Sequence, residues 1–471
     1  MTNEEFITRA HELVDWIGDY LESIDEYPVK SQVKAGEIYS SLPELPPLEA
    51  EKFQDIFKDF KEIIMPGMTH WQSPNFFAYF PANSSAPSVL AEMLIAALGA
   101  QCMIWETSPA AAELEERVMN WLRDIIGLPS NFEGVIQDTA STATLAALIT
   151  ARERISDFRI NEKGFQDEPV YRIYGSTQTH SSIEKAVKIA GFGRKNLVKV
   201  DVRDDLSLDP AQLAAAIEQD KSQGFVPCCV MATVGTTGTV AIDPVREIGE
   251  VCSKHNIWLH VDAALAGTAL ILPEYSWMID GKEYIDSFVF NPHKWMFTNF
   301  DCSAYFVKDA ESLIQTFEIL PEYLKTRTRG QVNDYRDWGI PLGRRFRALK
   351  LWFVIRSFGL KGLREKVRNH ISYAAWLANR VEEHPDFEMT APPSLNTVCF
   401  RYRPGKGDAK SLNEINERLN HKLNDTGKIY LTHTRIKDKY SLRMVISQTN
   451  VEMENVQRAW ALITETANNI Q

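Results

Sequence analysis

Apolar residues recur at three- and four-residue spacing at the start of the chain: Phe6, Ala10, Leu13, Val14, Ile17, Tyr20, Leu21 and Ile24. That period predicts a helix, with Thr2 or Asn3 as its cap. The stripe is wide and aromatic, which predicts a docking face. A proline-rich connection, Leu42-Pro43-Glu44-Leu45-Pro46-Pro47, precedes a second helical stretch from about Glu49 to Ile64. An aromatic run follows: Trp71, Phe76, Phe77, Tyr79 and Phe80, closed by Pro81. It fits either core packing or a wall for a flat ligand, since rings favour stacked and edge-to-face contacts. From about Ser88 to Ile126 the pattern predicts helices with small-residue faces.

Then the period changes. Gly134-Val135-Ile136-Gln137 is strand-like and runs through Asp138-Thr139-Ala140-Ser141-Thr142 into a helix. Small and hydroxyl residues at a helix N-terminus suit an anion, although Ser and Thr are also ordinary caps. Strands are predicted near Val170–Tyr174, Leu197–Val200, Pro227–Ala232, Ile257–Val261 and Ser287–Phe290. Helices are predicted over Ser181–Ala190, Pro210–Gln219, Pro244–His255 and Pro273–Ile279. This alternation predicts an α/β domain with a mainly parallel sheet. Beyond about Asp309 it loosens. Leu324–Trp338, with Lys325, Arg327, Arg329, Asn333, Asp334 and Arg336, reads as a mobile surface loop long enough to be a lid. A long helix over Ala348–Phe358 follows. From about Gly362 a small α+β domain is predicted, with paired strands near Thr397–Tyr402 and Ser441–Ile446 and helices near Leu412–Leu423 and Glu452–Ala467.

Composition narrows the class. The 471 residues, 44% apolar and 24% charged, match an ordinary globular enzyme of two or three domains. A net charge of −12 argues against nucleic-acid binding. The six cysteines are scattered without a CxxC pair, which predicts buried reduced thiols and a cytoplasmic setting. Met1-Thr2-Asn3-Glu4-Glu5 lacks the basic and apolar regions of a signal peptide. No apolar run approaches the roughly 18 residues of a membrane span.

The chemistry concentrates at strand ends. Trp258-Leu259-His260-Val261 ends on Asp262, and Ser287-Phe288-Val289-Phe290 leads to Asn291-Pro292-His293-Lys294-Trp295. The strand near Val170 is followed by Gln178-Thr179-His180-Ser181, and the one near Pro227 by Thr233-Val234-Gly235-Thr236-Thr237-Gly238. Ligands of open α/β sheets bind at such carboxyl ends. An acid and a lysine together at a sheet edge suggest pyridoxal phosphate: the lysine holds the cofactor covalently and the acid pairs with its pyridinium nitrogen.

These motifs resemble the aromatic-L-amino-acid decarboxylases, the group II pyridoxal-phosphate decarboxylases. The resemblance runs almost end to end. It includes His70-Trp71-Gln72-Ser73-Pro74, Phe77-Ala78-Tyr79-Phe80-Pro81, Ser108-Pro109-Ala110, Asn299-Phe300-Asp301-Cys302-Ser303-Ala304, Asp334-Tyr335-Arg336 and Ile340-Pro341-Leu342-Gly343-Arg344-Arg345-Phe346-Arg347. It implies the PLP-dependent transferase fold of type I, with a seven-stranded-type sheet. It also implies a division into an N-terminal helical dimerisation segment (1–85), a large cofactor domain (86–360) and a small C-terminal α+β domain (361–471). A homodimer with its active site at the subunit interface follows from the same resemblance.

The matched positions imply roles. Lys294 carries the cofactor and Asp262 keeps its ring nitrogen protonated. Ala264 packs flat against the ring, and His180 covers the opposite face near the substrate carboxylate. Ala140, Ser141, Asn291 and His293 hold the phosphate, and Thr237 sits near Asp262 or the ring. Tyr335 takes the place of the lid tyrosine that returns a proton after CO2 leaves. Trp71, Tyr79, Phe80, Pro81, Ala82, Gln101, Met103 and Gly343 line the substrate pocket. Ala82 replaces a threonine of the animal dopa enzymes, and Gln101 and Met103 replace bulkier apolar residues contributed by the partner subunit. These departures leave open which of tryptophan, 5-hydroxytryptophan, tyrosine, phenylalanine or dopa is preferred; Gly343 leans towards indoles. Three rivals stand beside decarboxylation of an aromatic acid. They are an aromatic aldehyde synthase, a glutamate-type decarboxylase and a catalytically silent scaffold of the same fold. Retention of Tyr335 and His180 weighs against the first, the aromatic run against the second, and retention of Lys294, Asp262 and His180 against the third.

Overall fold

The computed structural model describes residues 1–319, 331–405 and 407–470. These form two compact units, Ala82–Ile371 and a second made of Met1–Pro81 with Ser372–Gln471.

The larger unit is built on seven strands: β1 (Glu133–Gln137), β2 (Tyr171–Ser176), β3 (Leu197–Val200), β4 (Val226–Thr233), β5 (Trp258–Asp262), β6 (Ser287–Phe290) and β7 (Ser303–Val307). Their spatial order is β1-β7-β6-β5-β4-β2-β3. β6, β5, β4, β2 and β3 pair in parallel, while β7 runs antiparallel to both β6 and β1. The sheet is thus mainly parallel, as the alternation predicts. β5, β6 and β7 are buried along their whole length. That explains their unbroken apolar runs, since a strand covered on both faces needs no polar alternation. Helices such as Ala140–Ile155 and Ser181–Ile189 supply the covering layer, and the core on that side includes Ala143, Ala147, Ile183, Val187, Tyr305 and Leu313. At Gly267 a Cβ would stand 2.4 Å from Cβ of Phe290, so this position admits no side chain against β6.

β7 lacks an alternation signal of its own and follows a loop of only Met296–Cys302. Its antiparallel entry puts Ser303 at the same edge as the carboxyl ends of the parallel strands. The predicted helix over Pro273–Ile279 is a 3-10 helix. The long helix spans Arg347–Glu383 and is interrupted at Gly359, whose φ of 64° and ψ of 161° are not helical. Glycine tolerates this left-handed φ without a Cβ clash.

The expected surface loop over Leu324–Trp338 needs correction in its described part. Residues 320–330, which carry Lys325, Arg327, Arg329 and Gly330, lie outside the described residues. Tyr335–Trp338, however, is a buried 3-10 helix. Tyr335 and Trp338 belong to the main core, with ring centroids 5.4 Å apart. The charged residues around these rings masked their apolar contribution.

In the second unit an antiparallel sheet has the order β10-β11-β9-β8, from β8 (Phe387–Met389), β9 (Thr397–Tyr402), β10 (Thr432–Ile436) and β11 (Lys439–Val445). β9 and β11 pair as expected. Chain-distant backbone hydrogen bonds tie the aromatic run to this sheet: Phe77 N–H to Tyr430 O at 2.9 Å and Val445 N–H to Phe77 O at 3.0 Å. The first helix, Asn3–Glu22, is capped by a Thr2–Glu5 capping box but buries none of its residues. Trp16 makes edge contacts with Phe57 and Phe60, while Phe6, Ile7 and Val14 stay exposed.

Candidate active site

Parallel strands deliver the predicted residues to one edge of the large sheet. Asp262 is the last residue of β5 and the register partner of Thr233 at the end of β4. It is only 5% exposed, and its Oδ1 accepts the N–H of Ala264 at 3.0 Å. That commits one oxygen and leaves Oδ2 for a cationic N–H donor, the partner a buried carboxylate requires. The next parallel strand, β6, leads into Asn291 and the short helix Pro292–Trp295 that carries Lys294. Asn83 fixes this helix: its side-chain amide donates to the carbonyl of Lys294 at 2.5 Å, and its N–H to that of His293 at 2.9 Å.

His180 caps the helix Ser181–Ile189 after β2. Its Nδ1 accepts the N–H of Ser182 at 3.2 Å and lies 2.7 Å from the Ser182 hydroxyl. An acceptor at Nδ1 places the proton of the neutral ring on Nε2. Burial of its surroundings holds the His180 pKa below the ordinary value; the Asp262 charge opposes this and the Lys294 charge reinforces it. The three groups therefore share one electrostatic neighbourhood.

The anion-holding candidates gather at the β1 and β6 ends. Thr139 caps the helix Ala140–Ile155, so Ala140 and Ser141 occupy its first turn, where backbone N–H groups point out of the helix end. The Ser303 hydroxyl donates to Asn291 Oδ1 at 2.8 Å and lies 3.3 Å from the carbonyl of Asp138, linking the two strand ends. His293 is buried, and its Nδ1 accepts the N–H of Cys302 at 2.9 Å. Burial first, then the Lys294 charge, pushes its pKa down to about 3, so the ring is neutral with its proton on Nε2. Asp301 accepts two hydrogen bonds from Arg347, both at 3.0 Å, and so anchors the loop that supplies Cys302. Ala264 is half-buried; Ser141 and Thr237 are exposed at the same sheet edge.

Other predicted residues lie elsewhere. Tyr335 is 2% exposed in the core, under the Arg344 guanidinium 5.2 Å from its ring centre. Burial raises its hydroxyl pKa well above the ordinary tyrosine value. Trp71, Tyr79, Phe80 and Pro81 belong to the second unit. There Trp71 stacks on Tyr79 with centroids 5.9 Å apart, and Tyr430 meets Tyr79 edge-on with the two hydroxyls 3.2 Å apart. Tyr79 has a φ of 50°, and Arg443 donates to its carbonyl at 2.9 Å while lying 4.7 Å over the Phe80 ring. Ala82, Gln101, Met103 and Gly343 belong to the larger unit. Gln101 and Gly343 are neighbours there, and Met103 accepts the N–H of Arg336 at 2.9 Å.

Sequence reasoning missed Asn83 and Tyr430, and gave no role to Ser182, next to Ser181, or to Arg347, the last residue of the Ile340–Arg347 motif. Asn83 directly adjoins Ala82, whereas Tyr430 carried no local signal because its partner Tyr79 is remote in sequence. Among the described residues no His, Cys, Asp and Glu cluster fits a metal ion, and no helix is long and apolar enough to cross a membrane.

Comparison with known proteins agrees with this arrangement. Residues 36–403 match the model of the pyridoxal-dependent decarboxylase conserved domain. An aromatic-L-amino-acid decarboxylase of Mus musculus is 42% identical, over 100% of this chain and 99% of the mouse protein. A phenylacetaldehyde synthase of Arabidopsis thaliana is also 42% identical, over 99% of this chain and 96% of that protein. The solved structure of Oryza sativa TDC with PLP and tryptamine superimposes with a TM-score of 0.96 at 36% identity, covering 100% of this chain and 99% of that one. The chain belongs to the pyridoxal-dependent decarboxylase family.

Proposed function

We propose that this lyase decarboxylates an aromatic L-amino acid to the arylalkylamine and CO2, as a cytoplasmic homodimer. The carrying observation is the shared neighbourhood of Asp262, Lys294 and His180 at one sheet edge. The donor set suits pyridoxal phosphate: a buried acid with one uncommitted oxygen, a lysine on the short helix that follows the adjacent strand, and a helix N-terminus for an anion. When bound, the cofactor supplies an electron sink for the bond broken at the substrate Cα.

This chain's residues do the rest. Lys294 holds the cofactor, and Asp262 keeps a proton on its ring nitrogen. Ala264, which is small, and Thr237 would contact the ring, and His180 would contact it too and orient the substrate carboxylate through its Nε2 proton. Ala140, Ser141, Asn291 and the Nε2–H of His293 hold the phosphate. Trp71, Tyr79, Phe80 and Pro81 are the candidates to meet the aromatic side chain, as are Ala82, Gln101, Met103 and Gly343, with Gln101 and Met103 acting across the homodimer. The exposed apolar residues Leu90, Met93, Leu94 and Leu98 on the helix Ala86–Leu98 support such pairing, as do Phe6, Ile7 and Val14 on the first helix. Among the described residues the cysteines are buried and form no disulfide, which fits a reducing compartment.

A second reading, an aromatic aldehyde synthase, is favoured by one observation: Tyr335 is locked in the core and poorly placed to return a proton to a carbanion. A panel of tryptophan, 5-hydroxytryptophan, tyrosine, phenylalanine and dopa separates the readings. Amine and CO2 in equal amounts support decarboxylation. Aldehyde with stoichiometric peroxide and ammonia supports the synthase. Lys294→Ala should abolish both and the bound cofactor's visible absorbance.

A further inference from the structure

Behind the strand-end residues the large sheet carries a second polar cluster, which the proposed chemistry does not use. His260 lies two residues before Asp262 on β5, so the two side chains share one face of the sheet. His260 is fully buried, as are Thr144, Ser287 and Trp258 around it. Its Nδ1 lies 2.8 Å from the hydroxyl of Ser287, its register partner on β6. Its Nε2 lies 3.3 Å from the hydroxyl of Thr144 on the helix Ala140–Ile155. Trp258 Nε1–H donates to the same Ser287 oxygen at 2.8 Å. Either tautomer of the neutral ring makes both bonds, because each hydroxyl can donate or accept. Burial lowers the His260 pKa to about 4 against the opposing Asp262 charge, so at neutral pH the ring brings no charge to that carboxylate.

Each bond ties down an element that ends at the cofactor site. Thr144 is one turn inside the helix whose first residues are Ala140 and Ser141. His260 sits one pleat repeat, about 7 Å, behind Asp262. Ser287 opens β6, which leads to Asn291 and the short helix of Lys294. A buried histidine is most often a core residue that has found its partners. Here the two partners stand on two other elements, and both elements run on to residues with a proposed cofactor role. A rigid ligand gripped at its phosphate and at its ring nitrogen needs the two anchors at one spacing. The bridge from Thr144 through His260 to Ser287 sets that spacing before anything binds, and preorganised anchors lose less freedom on binding.

We propose that His260 is a positioning residue for the cofactor. It clamps the helix Ala140–Ile155 and β6 onto β5, and so holds the phosphate anchors in register with Asp262. It acts through Thr144 and Ser287, not on the reacting atoms. The proposal rests on the reading that gives Ala140, Ser141 and Asp262 to the two ends of pyridoxal phosphate, and adds what keeps them the right distance apart.

The test titrates the apoprotein of each variant with pyridoxal phosphate, follows the absorbance, and measures the urea midpoint without cofactor. Thr144→Val keeps the shape of the side chain and removes the hydroxyl; the dissociation constant should rise by roughly three- to tenfold, the scale of one neutral hydrogen bond. Thr144→Ser restores the hydroxyl and should return the constant to within about twofold of the unaltered protein. His260→Phe should weaken binding at least as much as Thr144→Val, and adding Thr144→Val to it should bring no further loss, because the bond is already gone. If His260→Phe does not fold, the two Thr144 variants decide alone. Unchanged affinity in Thr144→Val with a lowered urea midpoint, the mark of a purely structural bond, would overturn the proposal. So would an equal loss from Thr144→Val in the His260→Phe background. Failure of the underlying reading looks different: the unaltered protein would take up no pyridoxal phosphate.

Discussion

The backbone N–H of Cys302 donates to Nδ1 of His293 across 2.9 Å. That bond selects the ring's tautomer, because an accepting Nδ1 leaves the only proton of the neutral imidazole on Nε2. With burial pushing its pKa down to about 3, His293 offers a hydrogen-bond donor at neutral pH without titrating. His293→Leu should therefore weaken pyridoxal phosphate binding by about tenfold or more, the scale of a hydrogen bond to a charged group. Titrating the apoprotein with cofactor and following its absorbance measures this without any turnover. Unchanged affinity would remove His293 from the phosphate site.

Acid should destabilise the protein through the same kind of group. His260, His293 and His370 are buried, and burial lowers their pKa values to about 4, about 3 and about 3. In the unfolded chain each takes up a proton near pH ~6.5. The native state declines that proton, so the stabilising difference is full above about 6.5 and is lost as pH falls towards the folded values. The urea midpoint should thus drop between pH 7 and pH 5. Equal midpoints would mean that these rings are already charged in the fold.

Arg344 and Glu115 form a buried ion pair that also accepts the N–H of Ile136 at 2.8 Å on the Glu115 carboxylate. Removing one partner leaves the other charge buried and unpaired. Arg344→Met should cost about 3–5 kcal/mol of stability, measured by denaturant unfolding. Met fills much of the same volume, so a loss below about 1 kcal/mol would show that solvent reaches the remaining carboxylate.

Asp262→Asn tests the acid separately. The amide can still accept the N–H of Ala264, which now bonds the carboxylate at 3.0 Å, so the strand end should keep its shape. It cannot hold a proton on a pyridine nitrogen by charge. The variant should bind cofactor yet decarboxylate about a hundredfold more slowly or worse, as for loss of one preorganised electrostatic group. Near-normal kcat would place the charge elsewhere.

Strands β2, β4, β5 and β6 and their terminal residues were legible because buried parallel strands read as apolar runs, and the polar cluster after each marks the ligand edge. Asp262, Lys294 and His180 follow from that pattern with little help from tertiary context. β7 was not legible, because its five residues follow directly on a short loop and its direction depends on pairing with β1 and β6. The hydrogen bonds that set His293 and Asn291 were hidden for the same reason: their partners, Cys302 and Ser303, reach them only after the chain reverses into β7. Tyr335 misled in the opposite sense. Its neighbours Asp334, Arg336 and Asp337 are charged, yet the turn is buried, and Arg336 and Asp337 pair with each other at 3.2 Å.

That burial makes Tyr335 the most informative position for the fate of the product. Its ring packs against Trp338 in the core, and its carbonyl accepts from Arg344 at 3.4 Å. A phenol in such a site, with its pKa raised well above the ordinary value by burial, gives up a proton reluctantly. Tyr335→Phe should keep the same product as the unaltered protein and lose no more than about 1–2 kcal/mol of stability, because one hydroxyl is removed and the packing stays. Side-by-side assays for amine, aldehyde, ammonia and peroxide provide the check. A switch from amine to aldehyde with peroxide would mean that the Tyr335 turn leaves the core during catalysis and that its hydroxyl is the proton source after all.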